Sequence, residues 1–184
     1  MLAMQSMLGY AAIGALTVIL WVGAWEKLRN LWIFEAAVAG YDLLPHWLWK
    51  PFALAYPLLE VLAGGLLLMP QTRVTGVAAT LLVLLLATGG VLVNLLRGKT
   101  EIDCGCGGLS NSYSGLSWWL VVRNAVLIVL AFSILLIVDD VAGQSFSINW
   151  LDGLNLVGFS IALIGLYAIF NQLMSSYLRM NAEE

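Results

Sequence analysis

Residues 74–96 read VTGVAATLLVLLLATGGVLVNLL, an apolar run bounded by Arg73 before it and Arg97 after it. About 20 such residues cross a hydrocarbon core of roughly 30 Å as a helix, and in lipid a helix satisfies its own backbone hydrogen bonds. The run therefore predicts a transmembrane helix. Four further segments read the same way: Leu8 to Trp25, Phe52 to Met69, Trp118 to Val138 and Leu151 to Leu173. Each ends at charge, proline or a Gly/Ser cluster. The second of the five carries Pro57 and Glu60 and is barely long enough for its task. Only Pro70 to Arg73 separate it from the run at 74–96, which predicts an antiparallel hairpin. The fold class that follows is an all-α integral membrane protein of about five transmembrane helices, with residues 1–184 as a single transmembrane domain without internal repeat.

Composition agrees. Of 184 residues, 61% are hydrophobic and 10% charged, and mean hydropathy is +0.93. A soluble domain carries about 25% charged residues, so lipid must cover what charge does not. A net charge of -3 without a basic run excludes nucleic acid, whose phosphates call for clustered Lys and Arg. Two cysteines and one histidine fall short of the four ligands of a structural zinc site, and no four-thiolate cluster is possible. No metal is expected. The N-terminus runs into apolar sequence without a basic leader region or small-residue cleavage pattern, so the first segment reads as a retained span. Trp47, Trp49, Trp118, Trp119 and Trp150 cluster at segment ends, as interfacial aromatic belts do or as gap-filling side chains would. Gly64, Gly65, Gly76, Gly89 and Gly90 offer close helix contact.

Two connections are long. Glu26 to Pro51 is too charged at its start for the lipid interior and reads as an interfacial segment. Its lone His46, beside Pro45 and Trp47, fits an interfacial histidine better than a catalytic base. Arg97 to Ser117 reads RGKTEIDCGCGGLSNSYSGLS, a Gly/Ser-rich flexible connection holding both cysteines, Cys104 and Cys106. Residues two apart can form a disulfide only across a sharp bend, which Gly105 permits. A strained accessible disulfide is easily reduced and suits exchange. Two unrelated small residues in a polar loop, or half of a metal site shared with a partner, remain alternatives from the residues alone.

A polar set accompanies the cysteines on the same membrane half: Lys27, Glu60, Asn94, Arg97, Arg123 and Asn124. At 1.5 Å per residue, Glu60 lies about 13 Å below the cysteine-bearing surface. A carboxyl at that depth needs a cation, and Lys27, Arg97 and Arg123 are the candidates. Such pairs either fix helix packing or lower a cysteine pKa, since the thiolate is the attacking species; Glu101 and Asp103 act in the opposite sense. With five spans, Lys27, Arg29, Lys50, Arg97, Lys99, Arg123 and Arg179 share the cysteine side against Arg73 on the other. The positive-inside rule then puts the cysteines in the cytoplasm.

These residues resemble the methylamine utilisation protein MauE family, within the wider DoxX-like group of small helical membrane proteins. The resemblance is carried by Gly23-Ala24-Trp25-Glu26-Lys27-Leu28-Arg29, Tyr41-Asp42-Leu43-Leu44-Pro45, Tyr56-Pro57-Leu58-Leu59-Glu60, Asn94-Leu95-Leu96-Arg97-Gly98, Cys104-Gly105-Cys106 with Gly108, and Val122-Arg123-Asn124. Gly107 departs from the family pattern CGCFG, which has an aromatic there. The resemblance implies a four-helix DoxX-like bundle plus one additional C-terminal helix, in a bacterial inner membrane. It further implies a role in maturing the disulfide-rich small subunit of methylamine dehydrogenase together with a thioredoxin-like protein, MauD, with Cys104 and Cys106 as the redox pair. That role points to a periplasmic cysteine loop, against the charge count. A membrane scaffold or chaperone without redox turnover, and a quinone-coupled thiol oxidase as in the wider group, are the rival functions; quinone is thus the one possible cofactor.

Overall fold

The computed structural model describes residues 2–99 and 116–141, together with helical positions Gly158, Ile161, Gly165, Ile169, Gln172 and Leu173. Five α-helices occupy the continuous parts: α1 (Leu2–Arg29), α2 (Leu31–Tyr41), α3 (Trp49–Leu68), α4 (Arg73–Leu96) and α5 (Trp118–Val141). Single 3-10 turns, His46–Leu48 and Pro70–Thr72, precede α3 and α4. Every regular element among the described residues is helical, as the apolar runs require. Among the described residues, four helices are long and apolar enough to cross a membrane, within Gly9–Arg29, His46–Leu68, Pro70–Leu96 and Trp118–Leu135. These are the first four expected spans. The fifth, 151–173, falls largely outside the described residues.

The four long helices form a closed bundle in which α1 packs on α3, α3 on α4, α4 on α5, and α5 back on α1. Each turns one stripe inward at helical spacing. On α3 the stripe is Ala53, Tyr56, Pro57, Glu60, Ala63, Gly64 and Leu67, and on α4 it is Gly76, Val77, Thr80, Val83, Leu84, Val91 and Asn94. The opposite faces, with Leu62, Leu82, Leu85, Val126 and Val129 exposed, are as apolar as the interior. Apolar burial therefore cannot distinguish inside from outside in lipid, and close packing of small and polar residues must do so.

Two glycines show this. A Cβ at Gly76 would stand 2.6 Å from the Leu67 nitrogen and 2.7 Å from the Leu66 carbonyl carbon, so α3 and α4 touch backbone to backbone. Thr72 closes the hairpin by donating its hydroxyl to the Leu66 carbonyl at 3.0 Å. A Cβ at Gly64 would meet the Trp21 indole at 2.6 Å; that indole lies across α3 and donates to the Val61 carbonyl at 3.1 Å.

Most of the connection 26–51, expected as an interfacial segment, is helix. Its charged start is the last turn of α1, and Asn30 breaks the helix at φ -120°, ψ 49°. At 1.5 Å per residue, α2 spans about 16 Å and is too short to cross, so it begins and ends at the same end of the bundle. Phe34, Ala37 and Val38 of α2 are buried, and Asp42 caps it in the left-handed conformation at φ 51°. The chain then turns through Leu44-Pro45, held by the Trp49 indole donating to the Leu44 carbonyl at 2.9 Å. Trp49 and Trp119 are half-buried and Trp47 and Trp118 exposed, so the aromatic clusters divide between packing and rim. Pro57 leaves α3 continuous from Trp49 to Leu68.

Gly76→Ala should destabilise the bundle by about 1–3 kcal/mol, because backbone rather than a flexible side chain stands in the way. Gly65→Ala, with no atom within 4 Å of the added carbon, should leave stability unchanged or slightly raised. Unfolding in mixed dodecyl maltoside and dodecyl sulfate micelles compares the two.

Candidate functional site

The buried stripes of α1, α3, α4 and α5 each carry a polar residue: Lys27, Glu60, Asn94 and Asn124. Two of these meet. Lys27 Nζ donates to Glu60 Oε1 at 2.7 Å and Oε2 at 2.9 Å, with the two side chains 8% and 7% exposed. A helical side chain leans toward its own N-terminus, so the lysine lies back along α1 and gives its third proton to the Gly23 carbonyl at 3.4 Å. A Cβ at Gly23 would sit 3.5 Å from Nζ and 4.0 Å from Oε1, in ordinary van der Waals contact with the pair. All three ammonium donors are used.

Aromatic faces complete the enclosure. Nζ stands 5.3 Å from the Tyr56 ring centroid and 5.9 Å from that of Phe34, distances at which ring faces attract a cation. Tyr56 lies one turn before Glu60 on the same face of α3, and its hydroxyl donates to the Val83 carbonyl of α4 at 3.1 Å. Phe34 is supplied by α2. The short helix thus covers a charge pair that would otherwise face lipid.

The remaining predicted residues distribute differently. Arg97 does not reach Glu60: it ends α4, is exposed, and its Nη1 donates to the Asp42 carbonyl at 3.4 Å. Lys99 Nζ stands 3.6 Å from Asp42 Oδ2, and its backbone N–H donates to the Asn94 carbonyl at 3.0 Å. Arg123 donates to Asn124 Oδ1 at 3.5 Å. Asn94 is fully buried, donates Nδ2 to the Gly90 carbonyl at 3.0 Å, and its Oδ1 has no donor among the described residues. Cys104 and Cys106 lie outside the described residues.

What can be followed is the path into and out of their segment. It leaves at Lys99, beside the cap of α2. It returns at buried Leu116, which clusters with Val91 and Leu120 against Tyr41, the last residue of α2. A Cβ at Gly90 would touch the Tyr41 ring at 3.2 Å. Tyr41 and Asp42 thus engage both stems of the cysteine-bearing connection. Sequence reasoning missed Gly23, Phe34, Tyr56 and Asp42 as parts of this end. The i, i+4 spacings of Gly23 with Lys27 and of Tyr56 with Glu60, and the motif Tyr41-Asp42-Leu43-Leu44-Pro45, were the available signals; nothing local pointed to Phe34.

Comparison with known proteins fits this arrangement. The family model described as Methylamine utilisation protein MauE matches residues 5–137, which include all four bundle helices up to the last turn of α5 and both cysteines. The chain belongs to the MauE family. Among its relatives, Methylamine utilization protein MauE of Methylorubrum extorquens is 35% identical over 171 residues, covering 91% of this chain and 86% of that protein. The Paracoccus denitrificans protein of the same name is 40% identical over 114 residues, 60% of this chain and 59% of that one. The one from Methylophilus methylotrophus is 33% identical over 128 residues, 70% and 67% respectively. No solved structure matches. The family-model match stops at residue 137, one turn before the end of α5, whereas the similarity to the Methylorubrum protein, at 91% of this chain, extends into residues 151–173.

Removing one member of a buried ion pair leaves an uncompensated charge. Glu60→Gln or Lys27→Met in this MauE-family bundle should each cost about 3–5 kcal/mol. The double substitution Lys27→Met with Glu60→Leu should recover most of that loss in mixed-micelle unfolding. Additive losses would show that the pair does not act as a unit.

Proposed function

We propose that this MauE-family protein is a membrane component of a thiol–disulfide or electron relay that serves disulfide formation in the small subunit of methylamine dehydrogenase, with Cys104 and Cys106 as its redox pair. Family membership supports the methylamine context. The observation that carries the chemical reading is the anchoring of the Cys-Gly-Cys connection: its stems leave α4 and enter α5 at the bundle end stabilised by Lys27 and Glu60, against Tyr41 and Asp42. A dithiol segment held at both ends against a rigid helical end is suited to meeting a thioredoxin-like partner such as MauD.

In the oxidising direction, a thiolate of the reduced exchange partner attacks the Cys104–Cys106 disulfide to form a mixed disulfide. The partner's second thiolate then resolves it. The partner gains a disulfide and loses two electrons, which stay with two protons on Cys104 and Cys106 until an oxidant of the relay, a disulfide or a quinone, takes them up. The geometry redistributes the roles of the cations. Lys27 is spent on Glu60 and Gly23, so its part is to hold the bundle end rather than to stabilise a thiolate. Arg97, exposed at the stem seven residues before Cys104, is the cation suited to that second task. Arg123 and Asn124, on α5, support the opposite stem, while Asn94, on α4, holds the stem of Arg97 by accepting from the Lys99 N–H.

The inner membrane is the compartment this reading assigns. For sidedness, Arg29, Lys50, Arg97 and Lys99 outnumber Arg73 even when the inward-facing Lys27 and Arg123 are set aside, which favours a cytoplasmic cysteine face. On that face the exported small subunit is reached only through a further carrier of the relay, whereas a periplasmic face makes the exchange direct.

Cys104→Ser or Cys106→Ser should abolish accumulation of the dehydrogenase small subunit, and unchanged accumulation would refute the redox role. An impermeant maleimide should label the cysteines only after the cells are permeabilised. Labelling in intact cells would put them in the periplasm and make the exchange direct. Mass-tagging that finds the thiols in one state under all growth conditions would favour a scaffold without turnover.

A further inference from the structure

The described cations divide into two groups. Lys27 is bound to Glu60, Arg97 and Lys99 to Asp42, and Arg123 to Asn124. Arg73, at the opposite end, lies over the Tyr10 ring at 4.7 Å. Arg29 and Lys50 alone among the described cations have no side-chain hydrogen bond, ion pair or ring contact. Both are exposed. They flank the α2 connection, one at the end of α1 and the other at the start of α3.

Each has an exposed indole on its own face. Trp25 precedes Arg29 by four residues, one helical turn, and is 67% exposed; Trp47 precedes Lys50 by three and is 74% exposed. Trp32, 72% exposed, begins α2 between them. Along α1 the indole lies about 6 Å deeper than the guanidinium. That is the spacing of the glycerol level, where tryptophan settles, from the phosphate level, where a cation finds its counter-charge. Lys50 reaches the same level by extending its stem outward. Of the acids of this connection, Asp42 is engaged by Arg97 and Lys99, Glu35 is half-buried on α2, and Glu26, three residues before Arg29 on α1, is half-buried and already has a partner.

We infer that Trp25, Arg29, Trp32, Trp47 and Lys50 form a binding collar for the headgroups of anionic phospholipid at the end of the bundle that carries α2. The ligand chemistry is a phosphodiester anchored in the bilayer, recognised by two cations while the indoles pack against the glycerol region. Its consequence is a local annulus enriched in negative lipid around the helix that covers the Lys27–Glu60 pair. This inference is independent of the redox reading.

The test uses the full chain in phosphatidylcholine vesicles with trace spin-labelled phosphatidylglycerol or phosphatidylcholine, reading the fraction of each lipid held at the protein by electron spin resonance. Phosphatidylglycerol should associate more strongly, by about fivefold per cation at low salt, with the preference shrinking as sodium chloride rises. Arg29→Gln with Lys50→Gln should bring it to the level of phosphatidylcholine. Arg29→Lys with Lys50→Arg should retain it, and so should Arg73→Gln at the other end. Equal association of the two lipids with the unaltered chain, a preference that survives the double glutamine substitution, or one lost with Arg73→Gln would overturn the inference. Displacement of the labelled lipid by glycerol phosphate at constant ionic strength would overturn it too, since the site would then take a soluble phosphate.

Discussion

A charge pair inside a lipid-embedded bundle organises the rest of this structure. Lys27 and Glu60 lie on different helices and are each nearly inaccessible, so neither helix tolerates lipid at that depth without the other. The lysine exhausts its donors on the two carboxylate oxygens and the Gly23 carbonyl. That saturation sets the rotation of α1 against α3 and requires a cover, which Phe34 of α2 and Tyr56 of α3 provide. Tyr56 in turn hydrogen-bonds α4 through the Val83 carbonyl. Three of the four bundle helices and the short helix are thereby tied to one ammonium group. The net energy of such a pair relative to an apolar replacement is small. Its value lies in specificity, since lipid-facing and interior surfaces are otherwise equally apolar.

Close approach supplies what the hydrophobic effect cannot between helices in lipid. Gly76 brings α4 onto the backbone of α3, and Gly64 receives the Trp21 indole from α1. These contacts lie toward the end of the bundle away from the cysteines, whereas the charged and amide groups lie toward the cysteine-bearing end. One end is locked by shape and the other by polar bonds. A chemically active segment is better served by the second kind, because hydrogen-bonded groups can also present charge.

The short helix α2 joins these themes. Its first turns cover the ion pair through Phe34, and its last residues, Tyr41 and Asp42, engage the stems of the connection that holds Cys104 and Cys106. The membrane-facing collar of Trp25, Arg29, Trp32, Trp47 and Lys50 surrounds the same element. α2 is therefore where lipid surface, buried charge and thiol segment come within one structural unit.

Residue order alone determined the class of the molecule. Apolar runs of membrane-crossing length specify helices whatever their neighbours, because backbone in lipid has no other donor or acceptor. The first four spans were legible to within a few residues, apart from the start of α1. Composition likewise left too few ligands for a structural zinc site or a four-thiolate cluster, and depth alone showed that Glu60 needed a cation. Which cation it would be was not legible. Lys27, Arg97 and Arg123 all lie on the same half, and only the rotation of each helix decides which side chain turns inward. Rotation follows from contacts between helices, such as Gly76 of α4 with Leu66 and Leu67 of α3 and Gly64 of α3 with Trp21 of α1. The helical nature of α2 was hidden for a related reason: the charged residues 26–29 suggest solvent, and only the tertiary structure reveals that Lys27 is turned inside while Arg29 is left out. The polar residues were chosen by sequence; the packing of four helices decided which of them met.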